Sequence, residues 1–254
     1  MKVILLGCGG STGVPKIGND WGACDPTEPR NRRSRVSVVI ENDVGQRILV
    51  DTSTDCRAQL LAQGIDRIDA VIWTHDHADH CHGIDDLRVM RYGRSNPIPG
   101  YASAATARLL RERFAYIFAG EHGYPTLIDL NEFEQRMISG FMIDWVQMPH
   151  GPTESTGLRF EADGKTIVYA TDFSRITSDM LDTFDKTDVL VTDCLRERPH
   201  PTHAHLAMAL ELGRRTQARQ TVLTHLDASL DYQSLCAKVG PSATVGFDGL
   251  EIEA

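Results

Sequence analysis

No stretch of this 254-residue chain strings together eighteen apolar residues, so nothing in the sequence reads as a membrane-spanning helix. Leu5-Leu6-Gly7-Cys8 looks like the end of a lipoprotein signal. Only Val3 to Leu6 precede that cysteine as an apolar run, where a secretory core needs roughly seven to fifteen residues. The stretch reads instead as a first strand entering a glycine-rich turn. Positive charge is scarce: Lys plus Arg is 26 against 35 for Asp plus Glu, a formal charge of −9. That balance gives no whole-molecule attraction for nucleic acid or an anionic membrane. Cysteine is sparse and scattered (Cys8, Cys24, Cys56, Cys81, Cys194, Cys236), with no CxxC pair. This excludes a disulfide scaffold and a self-contained zinc knuckle, and it points to a reducing, cytoplasmic setting. No internal repeat, low-complexity tract or Pro/Ser-rich linker is visible. One domain spanning 1–254 follows as the expectation.

What is present is an alternation of two periodicities. Strand-type apolar runs occupy 2–6, 35–41, 47–50, 70–73, 141–148, 157–161, 166–170, 189–191 and 221–223. Helical patterns occupy 54–63, 102–118, 177–184, 203–215 and 232–238, and the segment 87–100, rich in Arg, Gly and Pro, reads as a loop. The fold class is therefore α/β. Asn42-Asp43-Val44-Gly45 and Ala162-Asp163-Gly164 join adjacent runs as hairpins, so the sheets are mixed rather than purely parallel.

Five strand-type runs end on a residue with acid–base or metal-binding chemistry: Thr74-His75, Pro149-His150, Thr171-Asp172, Thr192-Asp193 and Thr224-His225. Side chains at the carboxyl ends of several strands converge on one sheet edge, where α/β proteins place their sites. A single histidine after a strand is ordinarily a loop residue. The cluster His75-x-His77-x-Asp79-His80 is different, because crowded imidazoles and carboxylates repel or desolvate one another unless a cation compensates them. Imidazole with carboxylate suits Zn²⁺, Mn²⁺ or Fe at a catalytic site, whereas an all-thiolate cage would mark a structural zinc.

His75-x-His77-x-Asp79-His80 followed by Gly83, with the later His150, Asp172 and His225, resembles the metallo-β-lactamase superfamily signature. The resemblance implies a four-layer αββα sandwich with two mixed sheets and two divalent metal ions, Zn or Mn. It assigns His75, His77 and His150 to one metal, Asp79, His80 and His225 to the other, and Asp172 as the bridge. His82 lies outside the pattern, in a supporting or solvated position. "GCGGSTGVP" at 7–15, "PRNRRSR" at 29–35, "VTDC" at 191–194, "LTHLD" at 223–227 and "VGFDGLEIE" at 245–253 resemble, more narrowly, the bacterial phosphoribosyl 1,2-cyclic phosphate phosphodiesterase branch. That branch hydrolyses a small cyclic phosphate ester. Its phosphonate-pathway members carry a further structural zinc. Asn19, Trp21, Cys24 and Ala228 stand at those four ligand positions here, so that zinc is expected to be absent.

The implied chemistry is in-line displacement at phosphorus by a hydroxide bridging two metals. Asp79 is expected to orient or deprotonate the nucleophile. A histidine suits the protonation of the leaving oxygen near neutral pH. The resemblance places it at His203, within "PTHAH" at the start of the 203–215 helical pattern; His205 is the nearest competitor and His200 a distant third. Ser11, Thr12, Arg33 and His205 are the candidates for binding substrate. The cluster Arg30, Arg32, Arg33 and Arg35 suits an anion, and its competing reading as a solvated or ion-paired run stays open. "GCGGSTG" lacks the Gly-Lys-Ser ending of a P-loop and makes, more simply, a tight turn.

The expected function is thus hydrolysis of a small sugar- or nucleotide-phosphate diester, cyclic or open. The expected partner is a small phosphorylated substrate, with no membrane and no nucleic-acid polymer; a homodimer is left open. The rivals are an RNA 3′-processing nuclease on the same metals, a thioester or lactone hydrolase, and a non-catalytic phosphate-binding protein. A nuclease should show an RNA-binding arm or basic exosite. A phosphate binder should have lost metal ligands, and none is lost.

Overall fold

The computed structural model describes residues 1–120 and 123–254. In chain order the strands are β1 (Lys2–Gly7), β2 (Ser37–Glu41), β3 (Arg47–Val50), β4 (Ala70–Ile72), β5 (Ile98–Ala102), β6 (Ile128–Glu132), β7 (Met137–Ile138), β8 (Phe141–His150), β9 (Thr153–Ala162), β10 (Lys165–Ala170), β11 (Val189–Asp193), β12 (Gln220–Thr224), β13 (Thr244–Val245) and β14 (Glu251–Glu253). They form two seven-stranded sheets, ordered β14-β1-β2-β3-β4-β5-β6 and β13-β12-β11-β10-β9-β8-β7. In the first sheet β14 to β3 pair antiparallel and β3 to β6 parallel. In the second, β7 to β10 pair antiparallel and β10 to β13 parallel. Each sheet is mixed in the same way.

Alternation within the strands explains the layering. Val3, Leu5, Val38, Ile40, Ile48, Val50 and Ile72 face the second sheet, and Ile167, Tyr169, Val189 and Val191 meet them from across the interface. The intervening Ile4, Leu6, Val39, Leu49, Val71 and Trp73 turn outward onto helical Leu60, Leu110 and Ile117. On the far side Val168, Ala170 and Leu190 pack on helical Met180, Phe184 and Leu212. Strands buried on both faces need helices outside them, and the result is an αββα sandwich. Each fully buried large apolar side chain contributes about 1.5–3 kcal/mol. Trp73 is wholly buried, and its indole N–H donates to Thr52 Oγ1 at 2.9 Å, so its burial strands no donor.

The hairpin expected at Ala162-Asp163-Gly164 is present, while several other boundaries differ from the sequence reading. The β9–β10 hairpin turns on Asp163 and Gly164, both at positive φ (56° and 69°), which suits the twist of an antiparallel pair. The segment 87–100 is not all loop: it holds the short helix Arg88–Arg91 and most of β5. The helical pattern 102–118 splits into Ala104–Arg113 and Ala115–Ala119, starting where Ser103 Oγ accepts from the Thr106 amide at 3.3 Å and breaking at Phe114. Likewise the 203–215 pattern becomes helical only over Leu206–Arg215. Residues before it are drawn alongside 195–196: the Leu195 amide donates to the Ala204 carbonyl (3.0 Å) and the Leu206 amide to that of Arg196 (3.0 Å). Among the described residues no helix is long and apolar enough to cross a membrane.

Candidate metal centre

At the edge between the sheets, residues from β4, β8, β10, β11 and β12 converge. The Nε2 atoms of His75 and His150 lie 4.0 and 3.6 Å from Asp172 Oδ1. His80 Nε2 and His225 Nε2 lie 3.2 and 3.6 Å from Asp172 Oδ2, and both are 3.7 Å from Asp79 Oδ2. His77 Nδ1 sits 3.3 Å from His150 Nε2. One set of potential ligand atoms is therefore His75, His77 and His150, another is Asp79, His80 and His225, each within 4.8 Å of one another. Asp172 presents one oxygen to each set.

Supporting hydrogen bonds aim these rings. His150 Nδ1 donates to the Thr202 carbonyl at 2.8 Å. His80 Nδ1 is 2.7 Å from Asp51 Oδ2, and His75 Nδ1 is 3.0 Å from Thr74 Oγ1, which itself donates to Asp51 Oδ2 at 2.8 Å. With Nδ1 committed as a donor, each ring turns the lone pair of Nε2 inward. Those inward atoms are stranded: His75 Nε2, His80 Nε2, His225 Nε2 and Asp172 Oδ2 are buried without hydrogen-bond partners. Buried polar atoms are rarely left so. The donor set of imidazole nitrogens and carboxylate oxygens fits divalent cations.

Backbone geometry serves the same end. Asp51 and His225, directly after β3 and β12, and Asp172, two residues after β10, all adopt left-handed φ (64°, 60° and 62°). Such positions cost about 1–3 kcal/mol and persist where surroundings over-determine them. Ser155 Oγ, on β9, donates to the carbonyls of Thr171 (3.1 Å) and Asp172 (2.7 Å); Ser37 Oγ, on β2, does the same for Val50 (3.2 Å) and Asp51 (2.9 Å). The charges are mutually tuned. Burial pushes the Asp172 carboxyl up, but the His225, His80 and His75 imidazoles outweigh it and hold it well below the usual carboxylate range. Burial, reinforced by neighbouring His80, pulls His75 well down.

His203 is not on a helix. It sits in the loop before one, with Nδ1 3.2 Å from Asp193 Oδ2 and 3.5 Å from Asp172 Oδ1. The Ala204 amide also donates to Asp193 Oδ2 at 3.2 Å, so one buried carboxylate holds this turn against the centre. His205 caps the following helix without a side-chain cap bond and joins none of the ligand groups. His82 is exposed, its ring edge-on to Phe114. Ser11 and Thr12 are exposed beyond Gly10, where a Cβ would lie 3.5 Å from His225 Cε1, which puts them on the rim.

Arg33 is elsewhere. Its guanidinium is 1% exposed and donates to the carbonyls of Asp227 (3.1 Å) and Leu230 (2.7 Å), bracing the frame instead of lining the cleft. Its neighbours are also occupied: Arg30 by Glu28 and the Tyr232 ring, Arg32 by the Trp21 ring, Arg35 by Asp55. At the four positions of the further zinc, Trp21, Cys24 and Ala228 pack with Val14 in an apolar cluster, and Asn19 Oδ1 accepts from Trp21 Nε1 at 3.1 Å. Only Cys24 offers a thiol, so that donor set does not fit a zinc ion.

Asp51 escaped the sequence reading although the signal was there, a carboxylate directly after the 47–50 run. Asp193 was visible as a strand end but carried no assigned role.

This sandwich with its edge cluster defines a class. A family model described as the β-lactamase superfamily domain matches residues 46–226, and the chain belongs to that family, with the metallo-β-lactamase fold. Among solved structures it is similar to a diphosphatase of the PhnP family, at 33% identity and a TM-score of 0.89, covering 100% of this chain and 97% of that one. Human tRNase Z, short form, shares the fold at 17% identity and a TM-score of 0.73, covering 100% and 99%. Among curated proteins, an octanoyltransferase of Porphyromonas gingivalis is 32% identical over 258 residues, 99% of this chain; the chain spans about half (51%) of that relative's length.

Proposed function

We propose that this chain hydrolyses a small phosphodiester, on a sugar or nucleotide, with two divalent ions, zinc or manganese. The observation that carries the reading is the division of Asp172, one oxygen toward His75 and His150 and the other toward His80 and His225. In this reading His75, His77 and His150 hold one ion, Asp79, His80 and His225 the other, and Asp172 both. Such a pair supplies Lewis acidity toward a phosphoryl group and a nucleophile at neutral pH. Asp79 orients that nucleophile. His203, held through Nδ1 by Asp193, gives the proton on Nε2 to the leaving oxygen. Ser11 and Thr12 at the rim remain candidates for a phosphate oxygen.

The similarity to a PhnP-family diphosphatase supports hydrolysis at a phosphoryl group. A polynucleotide substrate is disfavoured by the charge of −9 and by an arginine cluster already engaged within the protein. The test joins metal analysis of the purified protein to hydrolysis of bis(4-nitrophenyl) phosphate, a thioester and a lactone. Two equivalents of metal with diester hydrolysis dominant is the expected result. A single equivalent, or faster thioester or lactone cleavage, overturns the reading.

A further inference from the structure

Thr202 stands between His150 of the metal centre and a second histidine, His200. Its carbonyl accepts from His150 Nδ1 at 2.8 Å, and its amide donates to His200 Nδ1 at 3.3 Å. The Thr202 hydroxyl lies 3.2 Å from the same His200 nitrogen. A Cβ at Gly151 would fall 2.6 Å from Thr202 Cγ2, so the glycine after His150 is what lets this residue close in. From the other side the Arg196 guanidinium donates to the Arg198 and Pro199 carbonyls at 3.2 and 2.8 Å and curls the chain that leads into His200.

This clamp decides the state of the His200 ring. A backbone amide only donates, so Nδ1 must offer its lone pair, and the neutral ring then carries its proton on Nε2. Burial, with His203 and Arg196 nearby, holds the imidazolium below its ordinary value and favours that neutral form. Nε2 makes no hydrogen bond among the described residues, and the side chain is half-buried. His200 therefore presents one fixed N–H. A neutral imidazole N–H is no acid near neutral pH, so the geometry makes His200 a hydrogen-bond donor and leaves proton donation to His203, whose Nδ1 faces the Asp193 carboxylate. The His203 ring lies 4.8 Å from the rings of both His150 and His225, and the His200 ring lies 5.1 Å from that of His203. His200 joins none of the ligand groups, so it follows His203 outward from the centre.

Resting on the phosphodiesterase reading, we propose that His200 is a specificity residue whose Nε2–H donates to an oxygen of the leaving alcohol, next to the oxygen that His203 protonates. The ring is set in place by Thr202 before substrate arrives, so little ordering is left to be done on binding. A leaving alcohol with a hydroxyl beside its reacting oxygen is then favoured over one without.

The metal-loaded full chain is assayed on adenosine 3′,5′-cyclic phosphate and on its 2′-deoxy analogue, which differ only in the hydroxyl beside the O3′ leaving oxygen. A neutral hydrogen bond corresponds to a preference in kcat/KM of about 3- to 10-fold for the ribonucleotide. His200→Phe keeps a ring without the donor and should erase the preference, and His200→Gln, which restores an N–H, should recover part of it. His203→Ala should lower both rates and keep the preference. A damaged fold or lost metal lowers both rates together and leaves their ratio unmoved. Nitrogen NMR of the histidine rings should show His200 with its proton on Nε2, and a proton on Nδ1 overturns the assignment. A preference that survives His200→Phe, or is absent from the wild-type chain, overturns it as well. Where neither nucleotide turns over, both are compared as competitive inhibitors of bis(4-nitrophenyl) phosphate hydrolysis, and equal inhibition overturns it in the same way. No hydrolysis of that diester overturns the phosphodiesterase reading, and the inference falls with it.

Discussion

His203 and Asp193 form the smallest unit on which function is argued. A proton-donating group typically contributes about 10²- to 10⁴-fold, so His203→Ala should lower kcat by that order on an ester with an alkoxide leaving group. Loss on a nitrophenyl ester, whose leaving group needs little protonation, should be far smaller. Equal losses would point to positioning, and a larger effect in His205→Ala would move the role there. Metal uptake is proton-linked at the same scale. Burial pulls the His225 imidazolium down, but Asp172, Asp79 and Asp193 outweigh it and raise it to about 9; His80 rises in the same way against its own burial. Raised folded-state values mean that these pairs stabilise the metal-free fold fully below the ordinary value of 6.5 and lose that contribution as pH climbs through about 9. The same protons must leave before nitrogen can ligate. Apparent metal affinity should therefore increase across that window while metal-free stability declines, with proton release measurable by calorimetric titration; affinity flat in pH would contradict the pairing.

Elements decide whether such residues meet. The short helix Ala78–Cys81, which carries Asp79 and His80, is laced to the turn after β3: the Thr52 amide donates to the His80 carbonyl (2.8 Å) and the Gly83 amide to that of Thr52 (3.0 Å). A Cβ at Gly83 would fall 2.0 Å from the Ser53 carbonyl oxygen and 2.8 Å from Cys56 Cβ. Gly83→Ala should force the two segments apart at a cost of about 1–3 kcal/mol or more, seen in chemical denaturation, and should weaken metal retention; unchanged stability would mean the clash is relieved for free. The element scale also shows what the sequence could and could not tell. The parallel strands β4, β10, β11 and β12 were legible because they are short apolar runs ending on a polar residue. β5 and β6 were not, since Pro99 and Gly100 interrupt one, and the other, the edge strand Ile128–Glu132, is too polar to form an apolar run. The contiguous His75–His80 cluster announced itself. Asp193 gained meaning only when the loop around His203 folded back onto it, a contact ten residues distant that no local pattern encodes.

For the molecule as a whole, the region around Trp21 and Cys24 is closed by apolar packing, and Cys24 Sγ lies 3.4 Å from the Leu230 carbonyl. Cys24→Ser should leave total metal content unchanged, whereas loss of one equivalent would reveal a ligand there. The identical pairing pattern of the two sheets reaches further. One unit, an edge strand followed by an antiparallel trio and a parallel run, occurs twice, β1 to β6 with β14 and then β8 to β13 with β7. In corresponding strands of the two sheets Ser37 matches Ser155 and Asp51 matches Asp172, each serine gripping the carbonyls at the end of its neighbouring strand. The two halves thus hold two aspartates on equivalent scaffolds, one turned to the Nδ1 side of an imidazole as a brace and one to the open Nε2 side of four. The division of labour between the two carboxylates comes from which face of the histidines each one meets.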